Sequence, residues 1–230
     1  MSAANKLVLY TARICPYAQR AAIALHEAGL SYESVEIDLL NKPEWYHKVN
    51  PDLKVPALEI QGKNIAESLV LVELINDLAP EKKLLPANPV QRAQVRFVIE
   101  FYSSKVTPLQ YGYIRNFTEE GKQNFITGIA TAYERLNELL LEQSPSGPYF
   151  LGDEYSIADI AIAPFAGRLE AFTKNYLKGH EWDIVKSSKR LSDFLKGIQE
   201  RASYKETYCG DQDYVDVLVS RFGVPDPSKL

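Results

Sequence analysis

The sequence predicts an α/β domain followed by an all-α domain, and three observations carry that prediction. Strand-length apolar runs and helical stripes alternate over roughly the first eighty positions. The stretch from Pro80 to Gln91 then brings three prolines into twelve residues, the texture of a linker. Beyond it strand signals fade and apolar residues recur at helical spacing. The expected boundaries are 1–82 for the α/β domain, 83–91 for the linker and 92–230 for the helical domain.

Each element has its own warrant. Lys6 to Tyr10 is a short apolar run of strand length. Ala21, Ala22, Leu25 and Ala28 then mark a helix that Gly29 closes. Cys15 reads as its N-cap and Pro16 as its first residue, where a missing N–H costs nothing. Glu33 to Asp38 alternates as a second strand, Val55 to Ile60 is a third, Gln61-Gly62 a turn and Lys63 to Ile65 a fourth. Leu71, Leu74, Ile75 and Leu78 put a stripe on a helix that ends near Ala79-Pro80. This order suits a mixed sheet.

In the second domain, Val95, Val98, Ile99, Tyr102 and Val106 form one stripe, which Tyr111-Gly112-Tyr113 is expected to break. Ile126, Ile129, Ala130, Tyr133, Leu136 and Leu140 form another. Ser156-Ile157-Ala158-Asp159 has the pattern of a capping box, with Tyr155 placed to staple against Ile160. Leu191, Phe194, Leu195 and Ile198 announce a late helix.

Composition narrows the function. With 46% hydrophobic and 24% charged residues, the 230-residue chain reads as soluble and globular. A net charge of -4 and a pI near 5.5 give no electrostatic reason to expect nucleic acid. No apolar run approaches the ~20 residues that cross a bilayer, so no membrane partner is expected. Met1 to Lys6 lacks a signal-peptide start, and only two cysteines are present; a reducing, cytoplasmic setting follows as an expectation. His26, His47 and His180 are scattered without ligand spacing, so no metal is expected.

The chemistry concentrates at Cys15-Pro16-Tyr17-Ala18-Gln19-Arg20. A thiol at a helix start meets free amides, those of Tyr17 and Ala18, and the positive end of the helix dipole. Such a position lowers a thiol pKa from ~8.5 by units. The alternative is a small buried hydrophobe, the usual fate of an intracellular cysteine. The strand-loop-helix junction argues for the reactive thiolate, with Arg13 and Arg20 as sources of further positive potential. Ala18 stands where C-x-x-C would have its second cysteine, so the chain cannot close its own active-site disulfide. Cys209, in a polar segment, is read as incidental.

Taken in order, these residues resemble a cytosolic glutathione transferase of the cysteine-containing omega class, with lambda-like features. The resemblance spans essentially the whole chain. It rests on the Cys15–Arg20 motif, Asn41-Lys42-Pro43-Glu44-Trp45-Tyr46, Asn50-Pro51 with Lys54-Val55-Pro56, Glu67-Ser68, Lys83-Leu84-Leu85-Pro86 and Ser156–Asp159. It implies a thioredoxin-like first domain with a four-stranded mixed sheet, and a cis peptide before Pro56. It also implies glutathione as co-substrate. Ser68, otherwise a plain N-cap, would hold the γ-glutamyl carboxylate, and Glu67 the ammonium. Val55 would pair with the cysteinyl backbone by strand addition. Lys42, otherwise a solvated lysine, would meet the glycyl carboxylate. Tyr17 and Leu39, otherwise core, would wall the tripeptide. Trp45 is given no chemistry.

Tyr111, Tyr113, Phe172 and Tyr176 are the candidates for a hydrophobic substrate or ligand site, although aromatic residues at helical spacing are more often core. The resemblance implies thiol transfer through a Cys15–glutathione mixed disulfide: deglutathionylation, dehydroascorbate-type reduction, reductive removal of glutathione from adducts and hence detoxification. It also implies a homodimer. Two other classes compete: a non-catalytic carrier of aromatic or polyphenolic ligands on the same scaffold, and a channel-like protein, which would need an apolar span that the sequence lacks.

Overall fold

A computed structural model describes residues 6–230, so the leader expectation for Met1–Lys6 lies, Lys6 aside, outside the described residues. The chain divides into two compact units. One holds the chain up to Leu85 together with Ala202–Tyr208; the other holds Pro86–Arg201 and Cys209–Leu230.

The first unit contains β1 (Val8–Thr11), α1 (Pro16–Ala28), β2 (Glu33–Glu36), β3 (Ala57–Ile60), β4 (Lys63–Ala66) and α2 (Ser68–Leu78). The sheet order is β2-β1-β3-β4. β1 runs parallel to β2, with Leu9 opposite Ser34, and antiparallel to β3, with Leu9 opposite Leu58. α1 is the crossover that a parallel pair requires. β1, central, buries Val8, Leu9 and Thr11, whereas the outer strands carry the polar sequences Glu-Ser-Val-Glu and Lys-Asn-Ile-Ala. This is the mixed four-stranded sheet that the sequence predicts. α1 ends on Gly29 at φ 66, where a side chain would be strained. β3 begins at Ala57 rather than Val55, because Pro56 has no N–H for the ladder; the Val55–Pro56 peptide bond is cis.

The second unit is helical: α3 (Pro89–Phe101), α4 (Thr107–Arg115), α5 (Glu119–Gln143), α6 (Ile157–Tyr176), α7 (Asp183–Ser187), α8 (Lys189–Glu200) and α10 (Asp211–Phe222), with α9 (Ala202–Thr207) assigned to the first unit. Asn88 caps α3 by accepting from the N–H groups of Val90 and Gln91. Between α3 and α4 the helix widens into a π turn over Tyr102–Val106. Pro108 has no N–H to return to the preceding turn, and the Thr107 N–H reaches instead to the Tyr102 carbonyl. Gly112 lies inside α4, so the expected break at Tyr111–Tyr113 is corrected: an exposed glycine weakens a helix without ending it. The capping box at Ser156 forms, and Asp159 is fully buried.

One segment within 92–230, the span expected to be the helical domain, groups with the other unit. Residues 202–208 belong to the first unit, where α9 packs on α1. Gln19 Nε2 donates to Thr207 Oγ1 at 3.3 Å, and His26 meets Glu206 at 2.8 Å. Ser203 donates to Glu27, and Arg13 donates through Nε and Nη2 to the Tyr208 carbonyl.

Candidate active site

Cys15 is the N-cap of α1, in extended conformation at φ -81 and ψ 119, with Pro16 directly behind it. Its N–H closes a turn to Ala12 O at 2.8 Å, and its carbonyl accepts the Gln19 N–H at 3.0 Å, the first bond of the helix. The thiol takes no capping hydrogen bond from α1. Sγ points instead toward the Val55 carbonyl, 4.0 Å away. The thiol thus stands at the start of α1, where the positive end of the helix dipole lies. Beneath it, Ala12, Ala18, Ile37, Tyr46 and Val55 form a buried cluster against which Cys15 and Leu39 pack.

The segment facing Cys15 is pinned from behind. Tyr46 Oη and Asn50 Nδ2 both donate to the Lys54 carbonyl, each at 2.8 Å. Burial, with smaller electrostatic contributions from Tyr10 and Cys15, pushes the Tyr46 phenol up to about 12, so it stays protonated and keeps donating at neutral pH. These bonds fix the chain immediately before the cis Val55–Pro56 peptide.

The third wall is the start of α2. Glu67 is its N-cap at φ 72, a left-handed conformation that costs a non-glycine residue about 1–3 kcal/mol and that clusters at ligand clamps. Ser68 is the first helical residue rather than the cap, and its side chain is buried. No side chain caps this end, so the amides of the first turn face outward with the positive end of the dipole. The Ser68 hydroxyl accepts from Arg20 Nη1 at 3.3 Å. The fourth wall is the loop after β2, shaped by Asp38, whose Oδ1 accepts from the N–H groups of Leu40 and Asn41.

These walls enclose a cavity of about 440 Å³, within the size range of small-molecule sites. Cys15, Tyr17, Leu39, Lys42, Val55, Pro56, Glu67 and Ser68 all line it. Asn50, Leu53 and Lys54 line it too. Sequence reading quoted Asn50 and Lys54 only as parts of a motif; the Asn-Pro turn before Val55-Pro56 was the available signal.

The aromatic candidates of the second unit fare differently. Tyr113, Phe172 and Tyr176 are buried. Tyr113 meets Phe172 edge-on at 5.5 Å and stacks on Phe125 at 5.4 Å, while Phe172 stacks on Tyr176 at 4.9 Å. These three rings thus pack on one another within the helical core. Tyr111 is half-buried, with the Arg115 guanidinium 5.9 Å from its ring. Arg13, expected to add potential near Cys15, has its guanidinium engaged on the Tyr208 carbonyl. Cys209 is half-buried, with Sγ 3.7 Å from Arg168 Nη2. Among the described residues no cluster of His, Cys, Asp and Glu could hold a metal ion, and no helix is long and apolar enough to cross a membrane.

Comparison with known proteins shows the family. Residues 9–83 match the family model of the glutathione S-transferase N-terminal domain, and residues 93–207 that of the C-terminal domain. The chain is similar to glutathione S-transferase omega-1 of Rattus norvegicus, at 34% identity over 93% of this chain and 85% of the relative. It is similar to the solved glutathione transferase Omega 1C from Trametes versicolor, at 37% identity and a TM-score of 0.82, covering 96% and 98% of the two chains. Omega 2S from the same organism, solved in complex with 2,4-dihydroxybenzophenone, is 32% identical with a TM-score of 0.72, covering 93% and 97%.

Proposed function

The chain belongs to the glutathione S-transferase family, with omega-class proteins among its similar structures, and from that premise we propose that it is a glutathione-dependent thiol transferase acting through Cys15. One observation carries the reading: Cys15 opens onto the same cavity as Val55 and Ser68, and Ala18 stands where a resolving cysteine would be. A tyrosine or serine at that position would hold glutathione's own thiolate for attack on electrophiles. A cysteine exchanges with it.

The reaction has two balanced steps. The Cys15 thiolate attacks the glutathionyl sulfur of a mixed disulfide, forms Cys15–S–S–glutathione and releases the other partner as thiolate. A second glutathione thiolate then attacks that bond, frees Cys15 and leaves as glutathione disulfide. In this reading Ser68 and the first amides of α2 hold the γ-glutamyl carboxylate, and Glu67 meets the ammonium. Val55 pairs with the cysteinyl backbone, Lys42 meets the glycyl carboxylate, and Tyr17, Leu39 and Pro56 form apolar walls. Dehydroascorbate would enter differently: the Cys15 thiolate adds to a carbonyl, a glutathione thiolate attacks that sulfur and releases ascorbate, and Cys15–S–S–glutathione is left. An α-glutathionyl ketone would give its glutathionyl sulfur to Cys15 and leave as an enolate that takes a proton; a further glutathione frees Cys15 in both cases. The need for reduced glutathione fits a cytoplasmic setting.

A second reading, carriage of aromatic ligands, is favoured by the relative solved with 2,4-dihydroxybenzophenone. A thiol-transfer assay separates the two. Cys15→Ser should abolish transfer, because a hydroxyl neither ionises near neutral pH nor forms a mixed disulfide, and intact mass after glutathione disulfide should show one adduct in the parent and none in the variant. Transfer retained by Cys15→Ser, or an adduct on Cys209 alone, would refute the role of Cys15.

A further inference from the structure

Leu53 lines the cavity and has no task in the exchange chemistry. Its backbone lies at φ 55, in the left-handed region that a leucine side chain disfavours. Among the described residues seven glycines occupy positive φ, and only four other residues do so: Leu53, Gln61, Glu67 and Lys83. Gln61 turns the hairpin between β3 and β4, and Lys83 closes a 3-10 turn, whereas Leu53 and Glu67 both line the cavity. Left-handed residues other than glycine persist where their surroundings over-determine them, and they cluster at ligand clamps. The surroundings of Leu53 are of that kind. Its N–H donates to the Asn50 carbonyl at 2.9 Å, and Asn50 Oδ1 accepts from the Asp52 N–H at 3.1 Å. Directly after it, Tyr46 Oη and Asn50 Nδ2 both hold the Lys54 carbonyl. The turn is fixed on both sides of Leu53, and a glycine would fit it without strain. The chain places an isobutyl group there instead.

That group is half-buried. It packs on the cluster of Ala12, Ala18, Ile37, Tyr46 and Val55, the apolar bed that also carries Cys15 and Leu39. Its place along the cavity follows from the sheet. β3 pairs with β4 so that Ala57 stands opposite Ala66, which puts Glu67 and Ser68 at the Pro56–Ala57 end. Leu53 lies beyond Val55 from that end. With the γ-glutamyl group at Ser68 and the cysteinyl backbone at Val55, the glycyl residue of the tripeptide falls on the Leu53 side. From this arrangement we propose that Leu53 is a specificity-determining wall of the site, an apolar side chain held against the glycyl residue of glutathione at the expense of a strained backbone. The inference rests on the glutathione reading above and names which part of the ligand Leu53 serves. Apolar contact scales with the area taken from water, so covering about 40 Å² of the leucine changes affinity about fivefold.

The test separates the parts of the ligand, and it separates binding from stability. Titration calorimetry would measure glutathione and γ-glutamylcysteine, which lacks only the glycyl residue, against the full-length protein, Leu53→Gly, Leu53→Asn and Leu53→Met. Thermal unfolding would be followed on the same proteins without ligand. Leu53→Gly should weaken glutathione about fivefold and γ-glutamylcysteine less than about twofold, because the lost contact lies on the glycyl side. Its unfolding midpoint should equal or exceed that of the parent, since relief of the left-handed backbone offsets the lost packing. Leu53→Asn, which suits the left-handed backbone but is polar, should weaken glutathione to a similar extent. Leu53→Met keeps an apolar side chain and should stay within about twofold of the parent for both ligands. Unchanged glutathione binding by Leu53→Gly, equal losses for both ligands, or a loss joined to a lower midpoint would overturn the proposal and leave Leu53 a packing residue. Absence of glutathione binding by the parent protein would refute the glutathione reading itself, an outcome distinct from these.

Discussion

Two side chains proposed to hold carboxylates of the same ligand, Ser68 and Lys42, sit in opposite environments, and that difference sets how each should respond to mutation. Ser68 is 6% exposed and held by Arg20; Lys42 is exposed in the loop after β2. Ser68→Ala should weaken glutathione by roughly tenfold, with little dependence on salt, because a buried hydrogen bond to a charged group is poorly screened. Lys42→Ala should cost only about threefold at low ionic strength and less as salt rises, as for any exposed ion pair. Calorimetry at two salt concentrations checks both, and a salt-dependent Ser68 or a salt-independent Lys42 would reverse their assigned environments. Cys15, Val55, Pro56, Glu67 and Ser68 could be placed at the cavity from the sequence because each belongs to a short local pattern: a helix-start thiol, a Val-Pro pair, a Glu-Ser helix start. The Arg20–Ser68 bond could not, since its partners lie 48 residues apart and meet only when α1 packs on α2. The mutual packing of Tyr113, Phe172 and Tyr176 was hidden for a related reason. Helical spacing shows which face is apolar but not whether another helix already covers it.

The loop leading into α6 is built around two buried charges. Asp159 accepts from the Phe150 N–H through Oδ1, and from the N–H and hydroxyl of Ser156 through Oδ2. Arg190 on α8 donates to the carbonyls of Ser144, Gly147, Tyr149 and Phe150. Burial outweighs these bonds to the carboxylate and raises the Asp159 pKa from 3.8 to about 6. Between those values the native state holds a proton that the unfolded chain has released. Stability from this group is therefore full below about pH 4 and is lost as pH rises through about 6. Asp159→Asn should be destabilised throughout, because an amide cannot accept both backbone N–H groups with two oxygens. The gap to the parent should be wider at pH 4.5 than at pH 7, as read by denaturant unfolding; a gap that widens with pH would mean that the hydrogen bonds win and the pKa is lowered. The capping box is visible in four consecutive residues, as such local motifs are. The arginine clamp is not, because its acceptors are backbone carbonyls that any sequence supplies. The π turn escaped for the same reason: apolar spacing through Tyr102 and Val106 continues across it, and only Pro108 hints at a lost hydrogen bond.

At the scale of the whole molecule, sequence order and spatial membership part company at Ala202–Tyr208, which belongs with the first unit through contacts such as Arg13 to Tyr208, 195 residues apart. Pattern reading assigns a stretch to its neighbours in the chain, so a return of this kind stays invisible until partners are known. The same limit applies to surfaces that meet a second copy, and here exposure gives the clue. α2 leaves Val70 and Leu78 54% and 39% exposed, and α3 leaves Val90 and Phe97 67% and 54% exposed. Large apolar side chains about two turns apart on each of these helices fit an interface better than open water. Omega-like transferases, which the sequence resembles, are commonly two-fold dimers, and an isologous contact uses each patch twice. We expect light scattering at micromolar protein to give about twice the 26.0 kDa chain mass. Phe97→Glu, which puts a charge on the most exposed large ring of α3, should shift that value toward one chain mass while thiol transfer persists, because Cys15 and its cavity belong to the first unit. A parent protein that scatters as a single chain would overturn the dimer, and a Phe97→Glu variant that stays dimeric would move the interface off α3.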